Sequence, residues 1–142
     1  MNDPYDLERF VIAQDAGGTF DAALAELRQG RKVSHWMWFV FPQIAGLGMS
    51  AISRTYAISS LDEARAYLGH PVLGPRLLEC TGAVGEVRGR SAEQIFGGID
   101  AIKLRSSMTL FHRANPDEPA FSAVLEQFFA GQLDPATESL LR

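Results

Sequence analysis

Cysteine and long apolar stretches are both scarce in this sequence. The 142-residue chain has one cysteine, Cys80, so it cannot form an internal disulfide. Because no signal peptide begins the chain, this shortage favours a reducing cytoplasm. The longest aromatic-rich apolar run, Trp36 to Phe41, has six residues, whereas a membrane-spanning helix needs about 20. We therefore expect a cytoplasmic protein that does not span a membrane.

The chain also lacks an excess of positive charge and the common catalytic motifs. Thirteen Lys and Arg residues stand against 17 Asp and Glu residues, which gives a net charge of -4. This balance argues against nucleic-acid binding, since such proteins usually carry a basic excess. No Gly-rich phosphate loop, dinucleotide-binding fingerprint or metalloprotease motif occurs. The histidines His35, His70 and His112 do not have metal-ligand spacing, so we predict no metal site and no cofactor.

The residues that are present are those of an ordinary globular domain. Hydrophobic residues make up 46% of the chain and charged residues 21%, and both values are close to globular averages. Apolar residues recur at three- and four-residue spacing, with caps or prolines before these stripes and glycines after them. These signals predict one all-α domain over residues 1–142, with about seven or eight short helices. The predicted N-caps are Asp3, Thr19, Ser60, Ser91, Asp100 and Asp134.

One stretch, Val33 to Phe41, has no clear helical period. Its residues are typical of strands, but a short buried helix would have the same composition. Pro42 ends the stretch in either case, because proline cannot continue a helix or a central strand. A strand at this position is the main alternative to the all-α prediction.

The aromatic segment, which we define as Ser34–Gln43, contains both tryptophans and no charged residue. Large aromatic side chains dominate the energetics of burial, so we predict that Phe39 and Phe41 lie in the core. Trp36 and Trp38 are less clearly core residues, because a buried indole N–H needs a hydrogen-bond partner.

The aromatic segment also offers polar groups to a ligand. In the functional interpretation, His35, Trp36 and Gln43 line a pocket, in which His35 could act as a general acid or base. The alternative is a structural role, because a lone histidine beside aromatic residues usually has its hydrogen bonds satisfied within the fold.

A second polar set lies on the helix predicted to begin at Asp100. Asp100, Lys103 and Ser107 share one face of that helix. In the structural interpretation, Asp100 is a helix cap that forms an ion pair with Lys103 and contributes little to stability. In the functional interpretation, Lys103 or Arg105 binds an anion and Ser107 offers a hydroxyl. The adjacent apolar face consists of Leu104, Met108 and Phe111.

A longer motif covers the aromatic segment. Residues Ser34–Gly48 read Ser-His-Trp-Met-Trp-Phe-Val-Phe-Pro-Gln-Ile-Ala-Gly-Leu-Gly, which resembles the hallmark of a bacterial family catalogued as domain of unknown function 1810. The resemblance implies a predominantly α-helical fold and no established activity. Some members are labelled calpastatin, but an inhibitor of that kind is disordered and repetitive, unlike this chain. The other matching segments are Leu7–Gln14, Ala23–Lys32, Tyr67–Leu77, Ile95–Asp100 and Lys103–Phe111.

These two polar sets lead to one binding hypothesis. A pocket between the aromatic segment and the Asp100–Ser107 helix would bind a small anionic ligand, such as a nucleotide derivative. A tryptophan would stack on a planar group, and a cation would bind a phosphate or carboxylate. The ligand-binding residues that we predict are Trp36, Trp38, Gln43, Lys103, Arg105 and Ser107.

The sequence leaves open whether chemistry follows binding. If a reaction occurs, His35 or Asp100 would transfer the proton. The alternative function is a non-catalytic interaction module, in which the aromatic residues form either core or a surface for a protein partner.

Overall fold

Helices make up almost all the regular structure of residues 3–142, which are the residues that the computed structural model describes. Met1 and Asn2, which belong to the predicted domain, lie outside the described residues. Within residues 3–142 the only β pairing is one parallel bridge between Ile44 and Ile58. The all-α prediction is therefore confirmed. The α-helices are α1 (Glu8–Asp15), α2 (Thr19–Arg28), α3 (Met37–Val40), α4 (Ala51–Thr55), α5 (Leu61–Gly69), α6 (Leu73–Glu86), α7 (Ala92–Phe96), α8 (Gly98–Ala114), α9 (Pro119–Phe129) and α10 (Pro135–Leu140).

The sequence predicted about seven or eight helices, and eight of the observed ones correspond to that prediction. The other two, α3 and α4, were not among the predicted helices. Helix α3 resolves the uncertain stretch, because its single turn occupies the centre of the aromatic segment. The amide of Val40 donates to the carbonyl of Trp36 at 3.1 Å, as in an α-helical turn. The strand alternative is therefore wrong, and Pro42 follows the turn directly.

Two adjacent glycines separate α1 from α2. Gly17 and Gly18 have φ angles of 60° and 70°, which are in the left-handed region that glycine adopts without steric cost. They belong to a 3₁₀ turn, Ala16–Gly18, that joins the two helices. Gly18 also occupies the N-cap position of α2, so the predicted cap at Thr19 is wrong by one residue.

Most of the other predicted caps are present. Ser60 accepts a hydrogen bond from the amide of Glu63 at 3.1 Å, and Ser91 forms a reciprocal capping box with Gln94. Such caps satisfy amide groups that have no partner within their own helix. The predicted N-cap at Asp3 is wrong, because α1 begins at Glu8 with Leu7 at the N-cap. The carboxylate of Asp3 nevertheless accepts hydrogen bonds from the amides of Leu7 and Glu8.

The predicted cap at Asp100 is wrong. Helix α8 begins at Gly98, with Gly97 at the N-cap, so Asp100 lies inside the first turn. A glycine without a side-chain acceptor therefore starts this helix, and the carboxylate of Asp100 is available for other partners.

Helix α8 is the central element of the core. It packs against α5, α7, α9 and α10, while α6 packs against α2, α5 and α9. The predicted apolar face of Leu104, Met108 and Phe111 is fully buried. The predicted core side chains Phe39 and Phe41 are buried as well. No helix within residues 3–142 has the length and apolar character needed to cross a membrane.

A buried polar network holds the end of α3. Gln14 donates to the carbonyl of Phe39 at 2.8 Å and to the hydroxyl of Tyr67 at 3.2 Å. Arg76 donates in turn to the side-chain oxygen of Gln14 at 3.2 Å. Burial raises the pKa of Tyr67 well above its ordinary value, so its hydroxyl remains protonated. Helices α1, α5 and α6 thus fix one end of the aromatic segment.

The carboxylate of Glu26, on α2, holds the other end. It accepts hydrogen bonds from the amides of Val33 and Ser34 at 2.7 and 2.9 Å and from the indole N–H of Trp36 at 3.0 Å. The hydroxyl of Ser34 is a fourth donor. Partial burial alone would raise the pKa of Glu26, but these hydrogen bonds outweigh it and lower the pKa to about 2.

We expect Glu26→Gln to destabilise the protein by about 1.5–3 kcal/mol at pH 7, the range for hydrogen bonds to a charged group. The pKa of Glu26 is lower in the folded state than its ordinary value of 4.5, so its stabilising contribution is complete above pH 4.5. That contribution is lost as the pH falls towards 2, because the carboxylate becomes protonated. Urea unfolding of both proteins over this pH range measures the difference.

Glu86→Gln, at an exposed position on α6, serves as the control and should change stability little at any pH. If the difference between wild type and Glu26→Gln stays constant from pH 7 to pH 3, the carboxylate charge of Glu26 is not what stabilises the segment.

Candidate functional site

Asp100 connects α8 to the residues that precede the aromatic segment. Its two carboxylate oxygens form ion pairs with Lys32 at 2.9 Å and with Lys103 at 3.4 Å. The ion pair with Lys103 confirms the spacing-based prediction. Lys32 also donates to the carbonyl of Ser34 at 2.6 Å, and its side chain is only 7% exposed. The carboxylate of Asp100, which lies between two ammonium groups, therefore joins α8 to the chain just before the aromatic segment.

Cation–π contacts strengthen the same junction. The Nζ atom of Lys103 lies 5.0 Å from the ring centroid of Trp38, and that of Lys32 lies 5.0 Å from the ring centroid of Trp36. Both distances are within the range in which the ring quadrupole attracts a cation. The aromatic segment and α8 thus meet in space.

Two neighbouring cavities open beside this junction, and together we call them the candidate groove. The larger has a volume of about 270 Å³ and lies between α8, the loop after the aromatic segment and the start of α10. The smaller has a volume of about 120 Å³ and lies between the aromatic segment and α4. Gln43, Gly48 and Ser53 line both cavities, so the two are adjacent and share these three residues.

Backbone pairing fixes Gln43 at this shared wall. Its carbonyl accepts from the amide of Ile58 at 2.8 Å, and the carbonyl of Ile58 accepts from the amide of Ala45 at 2.8 Å. In the loop that follows, a Cβ atom at Gly48 would overlap the side chain of Ser53, which lies on α4. A glycine is therefore required for the loop to approach α4 and close the groove.

Three of the predicted ligand-binding residues line the groove. Trp38 lines the smaller cavity, Lys103 lines the larger one, and Gln43 lines both. Two of them come from the aromatic segment and the third from α8. The side chain of Lys103 is 22% exposed, and its ammonium group pairs with Asp100 and lies over the ring of Trp38.

The other predicted binding residues lie elsewhere. Trp36 is fully buried, and its indole N–H is bonded to Glu26. Arg105 donates to the carbonyls of Gln132 and Leu133 at 3.0 and 2.7 Å, so it anchors the chain before α10. Ser107 is also fully buried, and its hydroxyl has no hydrogen-bond partner among the described residues. None of these three side chains lines the groove.

The two predicted proton-transfer residues are not brought together around the groove. His35 is exposed and lines neither cavity. Asp100 lines neither cavity either, and its carboxylate is occupied by the two lysines. Their catalytic roles therefore stay predictions from the sequence.

Several groove residues are not among the ligand-binding residues predicted from the sequence. Arg54 and Tyr56 line the smaller cavity, and Ser106 lines the larger one. Asp134 lines the larger cavity as well, although the sequence indicated only a helix cap. Within residues 3–142, no group of three or more His, Cys, Asp or Glu side chains is arranged to hold a metal ion.

Comparison with known proteins assigns the family. The model of the family described as "Protein of unknown function (DUF1810)" matches residues 4–141. The chain belongs to this family. A crystal structure of the conserved hypothetical protein Rv1873 from Mycobacterium tuberculosis is 55% identical in sequence, with a TM-score of 0.95 and an alignment that covers 98% of each chain. No curated protein matches the chain. The resemblance seen in the motif at Ser34–Gly48 is thereby confirmed.

We expect Asp100→Asn to destabilise the protein by about 1–3 kcal/mol, between the values for exposed and for buried ion pairs. The loss arises because the nearly buried ammonium of Lys32 is left without its carboxylate. The double variant Lys32→Met with Asp100→Asn should lose less, since the only ammonium left without its carboxylate is that of Lys103, which is more exposed than Lys32. Urea unfolding at pH 7 compares these variants.

Asp62→Asn provides a matched control, because Asp62 forms an exposed pair with Arg65 at 3.2 Å. An exposed pair contributes little, so this control should stay within about 0.5 kcal/mol of wild type. Equal losses for Asp100→Asn and Asp62→Asn would contradict a special role for Asp100.

Proposed function

We propose that this protein binds a small anionic ligand in the candidate groove. The observation that carries the proposal is that Trp38 and Lys103 line two adjacent cavities and that Gln43 lines both. These residues come from two parts of the chain that are separated by about 60 residues, a separation over which only tertiary packing can bring side chains together. A concave site with a few convergent polar groups is the usual form of a small-molecule site.

The charges and rings of the groove suit a ligand with an anionic group and a planar group. Lys103 supplies a cation in the larger cavity, and Arg54 supplies a second one in the smaller cavity. Trp38 and Tyr56 add aromatic surface to the smaller cavity. A nucleotide derivative has both features, with a base for the rings and a phosphate for the cations.

The proposal is limited to binding. Trp36 and Ser107 are buried and Arg105 holds a loop, so these side chains are not part of the proposed site. A reducing, cytoplasmic location belongs to the proposal, because the only cysteine, Cys80, is a buried free thiol. Burial raises the pKa of this thiol to about 12, which keeps it unreactive.

A specific observation favours a second candidate, a module that binds a protein partner. Ile99 and Ile102, which line the larger cavity from α8, are 75% and 65% exposed. A partner that covered these side chains would remove apolar surface from water. This alternative requires no small ligand, so the same experiment separates it from the first.

We expect anionic metabolites that bind the groove to raise the melting temperature in a screen that includes nucleotides and carboxylates. A ligand at a hundred times its dissociation constant stabilises the folded state by about 2.7 kcal/mol. Lys103→Met should abolish most of the stabilisation by each hit, because it removes the cation and keeps a side chain of similar length and helix propensity.

Arg88→Met is the charge-matched control, since Arg88 is exposed and lines neither cavity. It should respond to each hit as wild type does. Hits that stabilise Lys103→Met and wild type equally would remove the groove as their site. A screen without any hit would leave the partner-binding module as the better candidate.

A further inference from the structure

A nearly buried carboxylate, that of Asp134, lines the larger cavity together with Lys103 and Ser106. Asp134 is only 9% exposed. Its Oδ2 atom accepts hydrogen bonds from the hydroxyl of Ser106 at 3.1 Å and from the amide of Thr137 at 3.0 Å. The hydroxyl of Thr137 is a third donor to the same oxygen. One carboxylate oxygen is therefore saturated within the protein.

The other oxygen, Oδ1, takes part in none of these hydrogen bonds. Because Asp134 lines the larger cavity and its Oδ2 atom is bonded within the protein, Oδ1 is the carboxylate oxygen that is left for a ligand.

The position of this acceptor is fixed from several sides. The amide of Asp134 donates to the hydroxyl of Thr109, on α8, at 2.9 Å. Arg105, also on α8, binds the carbonyls of the two preceding residues. Asp134 caps α10, and Pro135 begins that helix. A charged group that is held in this way needs little reorganisation when a ligand arrives.

We propose that Asp134 is a specificity-determining residue that selects anions bearing an amino group. The ligand's anionic group pairs with Lys103, its amino group donates to Oδ1 of Asp134, and its carbon skeleton lies against Ile99 and Ile102, which line the same cavity. This inference rests on the proposed function and narrows its ligand class. The physical reason is that a carboxylate facing the cavity repels a plain anion but binds a positively charged donor strongly.

Asp134→Asn tests the inference with little change to the fold, because asparagine caps helices about as well as aspartate. The three donors at the Oδ2 position require an oxygen there, so the amide nitrogen must occupy the Oδ1 position. The group presented to the cavity then changes from an acceptor to a donor. Asp134→Ser is a second variant, which keeps a good cap and removes both the second side-chain oxygen and the negative charge.

The probes are two series of equal chain length, from three to eight carbons: ω-amino carboxylates and the corresponding plain carboxylates. Backbone amide chemical shifts, followed at constant ionic strength, give the dissociation constants. Asp3→Asn is the matched control, because it makes the same substitution at a carboxylate that also accepts backbone amides and lines neither cavity. Circular dichroism and urea unfolding establish that each variant is folded.

In wild type and Asp3→Asn, we expect the best amino carboxylate to bind about tenfold more tightly than its plain counterpart, as one hydrogen bond to a charged group allows. Asp134→Asn and Asp134→Ser should lose this preference, while Lys103→Met should weaken both series. A preference that survives both Asp134 variants overturns the inference, as does equal binding of the two series to wild type.

Failure of this inference can be told apart from failure of the proposed function. If neither series binds wild type, the inference is overturned for this ligand class, and the melting screen with Lys103→Met independently decides whether the groove binds anions. If plain anions bind in a Lys103-dependent way without regard to Asp134, the proposed function stands and only the selection by Asp134 is wrong.

Discussion

The carboxylate of Glu26 is the constraint on which the arrangement of the aromatic segment depends. Four donors converge on it from Val33, Ser34 and Trp36, which fixes how the chain enters α3 from the loop after α2. With Trp36 held against α2, Trp38 lies under the ammonium group of Lys103 on α8 and lines the groove. The free energy of these hydrogen bonds thus stabilises the fold and orients the site at the same time.

The far end of the same segment depends on a different kind of interaction. Gln14 is buried between the carbonyl of Phe39 and the hydroxyl of Tyr67, and a buried amide group that lost these partners would be costly.

With both ends held, the aromatic segment forms a rigid wall of the groove, and α8 forms a second one. The loop from Gly46 to Ser50 and the short helix α4 close the groove between them with few core side chains of their own. A ligand would thus meet two fixed walls and one wall with fewer packing constraints, which is a common arrangement at binding sites.

Charges of both signs lie close together in this part of the molecule. Asp100 lies between two lysines, which leaves one net positive charge beside the groove, and Asp134 faces the larger cavity from the other side. The two tryptophans cover the lysine side chains, which lowers the local exposure of both ammonium groups to water. In such surroundings a single charge contributes more to selectivity than it does on an open surface. The family match and the similarity to a solved structure agree with the all-α fold. The groove supports a hypothesis about the ligand that this fold binds.

The sequence by itself determined the features that depend on local interactions. The caps at Ser60, Ser91 and Asp134, the glycine break after α1 and the apolar face of α8 follow from contacts within a few residues, so spacing alone predicts them. The local rules failed at Asp100, because Gly97 begins the helix one turn earlier and leaves that carboxylate to pair with lysines. Tertiary packing decided which polar groups share a site: Trp38 rather than Trp36, Lys103 rather than Arg105, and Asp134 in addition. Those choices depend on side chains that are far apart in the chain, and no local spacing encodes which of them converge when the helices pack.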